Sequence, residues 1–184
     1  MIRSFPLTLA LAIASGLGTL GLVNISSVKA QENPAIAQAP SDYQVIEGNG
    51  WSFAVPSDWE NTQIPNPAEG TVAVVAQLRD PQSQVFVNLV TEPFEGDPET
   101  YIQLNVENMT SVGFMIHRQE EVTAGAAQAS ELESTIPSTP PVRAIQVVTA
   151  DNGTGFALTC GGLEANFENI RSTCEEVLGT FDVN

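Results

Sequence analysis

The chain has 184 residues, with 22 acidic against six basic side chains and a formal net charge of −16. A field of that sign repels nucleic acid and anionic lipid headgroups, which excludes both as partners held by charge. The length fits one domain with a real core, and two Cys with one His argue against a transition-metal site.

Arg3 opens a short positive region, Phe5 to Val23 is apolar and uncharged, and Ser27-Val28-Lys29-Ala30 has the form of a leader-peptidase site. Residues 1–30 are expected to be a signal peptide. The alternative is an uncleaved anchor, since about 20 apolar residues span a bilayer. No Cys stands near the cleavage point to take a lipid. Cleavage removes Arg3 and Lys29, which takes the charge from −16 to −18 and leaves Arg79, Arg118, Arg143 and Arg171 with no Lys. A partner drawn by charge would be basic or bring divalent cations; solubility in an exported compartment is the plainer account.

Residues 31–42 are polar and aperiodic and are expected to form a flexible linker, followed by a domain over 43–184. Tyr43 to Glu47 is a short strand, Gly48-Asn49-Gly50 a hairpin turn, and Trp51 to Val55 a second strand with Trp51, Phe53 and Val55 on one face. Pro56 ends that strand, and Trp59 brings a second aromatic to the core. Ile64 to Gly70 is a Pro-containing loop. Thr71 to Leu78 and Gln84 to Thr91 are apolar enough for central strands covered on both faces, joined as a hairpin through Asp80-Pro81-Gln82-Ser83.

Asp97 then caps a helix that has Pro98 at its first position and runs to Val112, where Gly113 stops it. Its expected apolar stripe is Tyr101, Leu104, Val106, Met109 and Val112. Phe114 to Thr123 and Gln128 to Ile136 follow as strands, Pro137 to Pro141 as a stiff loop, and Val142 to Ala150 as a strong strand. Asp151-Asn152-Gly153 turns the chain into a strand with Phe156, Leu158 and Cys160 on one face. Gly161-Gly162 is expected to break that strand. A helix from Glu164 to Leu178 then buries Phe167, Ile170, Cys174, Val177 and Leu178, with Leu163 and Phe181 at its ends. The pattern is α+β: an α-β-α sandwich with a central, mainly antiparallel sheet of about seven strands flanked by two main helices.

Chemistry is sparse. His117 alternates outward on its strand without a positioned partner, and no G-x-S-x-G elbow presents a Ser. The acidic stretches Glu92 to Glu99 and Glu120-Glu121 offer oxygen to a hard cation such as calcium but lack an EF-hand spacing, so solvated loops are the plainer reading. Asn108 and Asn152 head glycosylation triplets, which count only in a eukaryotic secretory route. Cys160 and Cys174 both face inward. In an exported chain they form a disulfide or remain two buried thiols. Cys174 lies about 15 Å along the helix from Glu164, which leaves both alternatives open. Neither catalytic nor cofactor-binding residues are identified.

Two stretches carry a resemblance. GWSFAVPSDWE, Gly50 to Glu60, is similar to the opening segment of the PsbP-like family, and ALTCGGLEANFENIRSTCEEVLGTFDV, Ala157 to Val183, resembles its closing strand and helix, with DPQSQVFVNLV, Asp80 to Val90, between them. The resemblance implies an α-β-α sandwich in the thylakoid lumen or periplasm and no enzymatic activity. It implies a peripheral accessory role at photosystem II, supporting the oxygen-evolving complex and its calcium and chloride. The chain departs from the family in having no docking Lys and no lipid-anchor Cys, so no metal or docking residue carries over. The alternative is an exported ligand-binding or stress-related domain that kept the fold, and a hydrolase using His117 is the third reading.

Overall fold

The computed structural model describes residues 42–62 and 72–184. The signal peptide, the linker apart from Asp42 and the loop Ile64 to Gly70 lie outside the described residues. The described residues form strands β1 (Tyr43–Gly48), β2 (Trp51–Pro56), β3 (Glu60–Asn61), β4 (Ala73–Arg79) and β5 (Phe86–Pro93), then helix α1 (Pro98–Ser111). Strands β6 (Met115–Ala124), β7 (Ala127–Ile136), β8 (Val142–Asp151) and β9 (Thr154–Leu163) follow, then helix α2 (Phe167–Gly179) and strand β10 (Asp182–Val183).

The fold is α+β. Seven strands make an antiparallel sheet in the order β3-β4-β5-β9-β8-β7-β6, and β1, β2 and β10 make a second, small sheet. Short turns dictate the antiparallel pairing. Asn152 and Gly153 both take positive φ between Asp151 and Thr154, which face each other at the end of the β8–β9 ladder. That turn twists with the strands and needs those residue types.

Alternation along the strands divides the core in two. Val148 and Ala150 of β8, Ala157 of β9 and Leu132 of β7 pack under α1 with Tyr101, Ile102 and Met109. Ile145, Val147, Leu158 and Cys160 point to the other face, where α2 and the small sheet cover them with Phe167, Cys174, Val177, Phe53 and Val55. The first two expected strands therefore belong to the lid on the α2 face and not to the main sheet. Phe53 is fully buried there, and Ala54 N–H takes the Thr180 hydroxyl as its acceptor at 2.8 Å.

Several expectations are corrected. β4 is not a central strand: its neighbour β3 has two residues, and Val74 and Val75 are only half-buried. The stripe on α1 is Tyr101, Ile102, Asn105 and Met109, and Leu104 and Val112 point outward. Tyr101, Ile102, Asn105 and Met109 recur at spacings of one, three and four, which puts them on one helix face and turns Leu104 and Val112 away from the sheet. The cap at the start of α1 is as expected, with Thr100 N–H donating to Asp97 Oδ1 at 2.9 Å.

Gly161 and Gly162 do not break β9, which continues to Leu163. They are glycines because neighbours press on the strand. A Cβ on Gly161 would lie 2.7 Å from the Ala144 Cβ, and one on Gly162 would lie 2.8 Å from Ile170 Cδ1. The turn comes later, as a 3-10 turn over Glu164–Asn166.

That later turn also resolves the cysteines. From Phe167, seven helical residues carry the chain back about 10 Å. From Leu163, three strand residues cover about the same 10 Å. Cys174 thus lands over Cys160, and the two are disulfide-bonded with their Cα atoms 5.3 Å apart. The bond closes a short loop and should contribute about 3 kcal/mol. Reduction, or the double substitution Cys160→Ala with Cys174→Ala, is expected to lower the urea midpoint, with a loss of unfolding free energy of about that size. Equal midpoints for the oxidised and reduced protein would show that the bridge is not made.

Candidate functional site

The described residues contain four arginines, and three of them meet at one carboxylate. Alternation on β7 puts Glu131, Glu133 and Thr135 on the α2 face. In register beside them, β6 brings Arg118 and β8 brings Arg143. α2 lays Arg171 on top, one residue after the buried Ile170.

Glu133 is 4% exposed. Arg171 grips it with both ends of its guanidinium, Nη1 to Oε2 at 2.8 Å and Nη2 to Oε1 at 3.0 Å. Arg143 Nε adds a bond to Oε1 at 2.7 Å, and Arg118 Nε stands 3.7 Å from Oε2. The Arg171 bond, joined by Arg143, outweighs the desolvation of the burial and holds the Glu133 carboxyl down at about 2. The Arg143 and Arg171 guanidiniums also lie over the Phe167 ring, 5.4 and 4.9 Å from its centre.

Glu131 is the less settled partner. It accepts from Arg118 Nη2 at 2.5 Å, yet burial pushes its carboxyl up; the Arg118 charge opposes that shift, while Glu175, Glu120 and Glu133 add to it. Glu168 and Glu175 complete the rim through Arg171.

His117 stands at the end of this network. A bulge between Ile116 and Arg118 turns it out of the ladder. Its Nε2 is 2.8 Å from the Thr135 hydroxyl, which donates to Glu164 Oε1 at 2.9 Å. The hydroxyl has one proton and gives it to Glu164, so the His117 nitrogen must be the donor to Thr135. A base that already carries the proton cannot activate that hydroxyl, and the carboxylate lies on the wrong side of the pair for a triad. The expectation that His117 is exposed is correct, but it has a partner that the strand pattern alone did not reveal.

A groove of about 520 Å³ opens on the opposite face, between α1 and the β6–β7 hairpin. Ile102, Val106 and Ala129 line it together with Glu99, Glu107 and Glu121. The acidic stretch over Glu92 to Glu99 is dispersed. Glu92 accepts from the buried Tyr101 hydroxyl at 2.8 Å, Asp97 is used by the helix cap, and Glu99 reaches the groove. Burial pushes the Glu92 carboxyl up, against the pull of the Tyr101 bond. These residues do not fit calcium: Asp97 has both oxygens on Thr100, and no described group of three or more His, Cys, Asp or Glu is placed to hold a metal.

No family model matches the chain, and no curated protein matches its sequence. Among solved structures it is similar to the solution structure of cyanobacterial PsbP from a Synechocystis species. The two are 16% identical with a TM-score of 0.57, and the match covers 91% of this chain and 99% of that one. It is also similar to the Ran-binding protein Mog1p of Saccharomyces cerevisiae, at 10% identity and a TM-score of 0.53 over 77% of this chain and 95% of that one. At such identities the likeness establishes the fold, and the resemblance read from Gly50 to Glu60 and Ala157 to Val183 holds at that level.

Two outcomes follow from the carboxylates. Glu133→Gln strands two guanidiniums under α2 and should cost about 3 kcal/mol near neutral pH. A depressed carboxyl stabilises the fold above its unfolded value near 4.5 and loses that contribution as pH falls through about 2. Denaturant midpoints of wild type and Glu133→Gln should therefore converge between those values, and a constant gap across that range would refute the assignment. Glu92 has the opposite sign: its raised carboxyl costs stability once ionised. Glu92→Gln keeps an acceptor for Tyr101 and should hold or raise the melting temperature at neutral pH, with the advantage fading in acid.

Proposed function

We propose that this protein is an exported, non-catalytic accessory protein of the PsbP-like family, held peripherally against a membrane protein complex, with photosystem II as that complex. The observation that carries the reading is the likeness of fold to cyanobacterial PsbP over nearly the whole of both chains. The leader-like N-terminus and the disulfide inside the core support an oxidising, exported compartment. Among the described residues no helix is long and apolar enough to cross a membrane, in keeping with a peripheral mode.

A structural role suits the polar residues better than catalysis. The hydroxyl beside His117 is tied to Glu164, and the arginines are spent on Glu133 and its neighbours. Support of the oxygen-evolving complex would then come through contact with the complex, with calcium held by other subunits. A mature chain of this charge, without Lys once residues 1–30 are removed, would meet a basic surface, and the contact would weaken with salt. The groove beside α1 favours a second reading, an exported ligand-binding or stress-related domain of the same fold.

Capture of the tagged, oxidised protein from native photosynthetic membranes at low salt separates the two. Photosystem II subunits that elute with it and leave on salt washing are the expected result. An eluate without membrane subunits would overturn the first reading and leave the second.

A further inference from the structure

The two walls of the groove beside α1 are set by the spacing on each element. On α1, Glu99, Ile102, Val106 and Glu107 follow one another at three, four and one residues, which puts them on one side of the helix. On β6, Gln119 and Glu121 face the side of the sheet that α1 covers, because Gln119 pairs with Leu132, which packs under that helix. The described chain begins at Asp42, beside β2 on the opposite face, where the Asp42 carbonyl accepts from Ser57 N–H. Its one internal break joins β3 to β4, and β4 stands four interstrand gaps, about 19 Å, from β7.

The groove carries acid that the domain does not balance. Among the described residues no ion pair involves Glu99, Glu107 or Glu121. Arg118, Arg143 and Arg171 are held on the other face at Glu133, and Arg79 stands on β4 with Glu60 opposite it in register. Gln103 Nε2 donates to Glu107 Oε1 at 2.9 Å, which gives that carboxylate a neutral partner and leaves its charge in place. Beside these carboxylates lie the buried Ile102 and the half-buried Val106.

This combination selects its occupant by charge. An anion would be repelled, and a neutral apolar ligand would strip water from carboxylates without replacing it. A single metal ion does not suit them, since no described group of three or more His, Cys, Asp or Glu is placed to share one. What fits is a cation on an apolar stem. Lys and Arg lay their methylenes on apolar surface and keep the charged head at the edge of water, beside a carboxylate. Glu99 and Glu107 are eight residues apart on α1, about 12 Å along the helix. Two side chains four residues apart on one face of an extended segment stand about 13 Å apart.

We infer that the groove between α1 and the β6–β7 hairpin docks an extended basic segment of a partner protein, with two Lys or Arg four residues apart and an apolar residue midway between them. The two cations meet Glu99 and Glu107, the apolar side chain meets Ile102 and Val106, and Glu121 faces the segment from β6. The Gln103 and Gln119 amides, which both donate and accept, serve its main-chain groups. Resting on the reading of the protein as a peripheral accessory protein, though not on photosystem II being its complex, this docking gives to a protein partner the groove that the second reading would fill with a small ligand.

The test is an NMR titration of the oxidised, 15N-labelled protein with the peptide Ac-Gly-Arg-Ser-Val-Ser-Arg-Gly-NH2 at about 0.1 M salt, where charges beyond about 10 Å are screened. Saturable shifts are expected at the Gln103 and Gln119 side-chain amides and along the facing sides of α1 and β6. The triple substitution Glu99→Gln, Glu107→Gln and Glu121→Gln should weaken binding about ten-fold, the sum of three exposed charge contacts. Glu47→Gln, Asp58→Asn and Glu60→Gln remove the same charge from exposed positions outside the groove, and should change it by less than about two-fold. A peptide with Ser in place of its Val keeps the charge and should bind more weakly. Absence of saturable shifts at millimolar peptide would overturn the proposal, as would shifts spread over the acidic surface or equal weakening by the two triples. In the membrane capture, equal retention of wild type and the groove triple would overturn the docking site and leave the photosystem reading standing. A wild type that seats the peptide in the groove but takes no membrane subunits would uphold the site and remove photosystem II as its partner.

Discussion

Glu133 can stay ionised beneath α2 only because guanidiniums replace the water it has lost. A buried carboxylate without partners costs several kcal/mol, and here Arg171 and Arg143 supply bonds from a helix and a neighbouring strand. The constraint fixes the azimuth of α2 on the sheet. Arg171 reaches Glu133 only when Ile170 and Cys174 point down, and that same rotation sets Cys174 over Cys160. An ion pair and a disulfide thus enforce one helix placement from two sides of its axis. Phe167, under both guanidiniums, joins the charged layer to the apolar one.

Much of this fold was legible in the chain. The alternation of Phe156, Leu158 and Cys160 gave their shared face, and the period of Phe167, Ile170, Cys174 and Val177 gave the buried side of α2. Asp97 and Pro98 marked the start of α1, and Asn152-Gly153 marked the last hairpin. What escaped depends on contacts remote in sequence. Gly161 and Gly162 look like a turn to any local rule, and only Ala144 and Ile170 explain why they lie in a strand. The assignment of β1 and β2 to a separate sheet depends on β10, more than a hundred residues away. The arginine network was the largest omission. Four arginines were visible, but strands β6, β7 and β8 must be in register before Arg118, Glu133 and Arg143 are neighbours. The one signal available was scarcity, since a chain with so few cations has little reason to bury them without purpose.

The two faces of the sheet meet different demands. The α2 face takes the ion network, the disulfide and the small sheet, and most large buried side chains lie there. Among the described elements the α1 face takes one helix, with a groove beside it toward β6 and β7.

The near-absence of cations also governs how the folded protein meets a protease. Trypsin cuts after Lys or Arg, and from residue 42 onward the chain offers four such bonds. Three follow arginines inside β6, β8 and α2, whose side chains are held in ion pairs and whose backbone is held in ladders or helix. The remaining one follows Arg79, exposed at the end of β4 beside a turn. Access to the other three requires opening of the sheet or release of α2, so tryptic digestion of the native domain reports on unfolding and not on surface exposure.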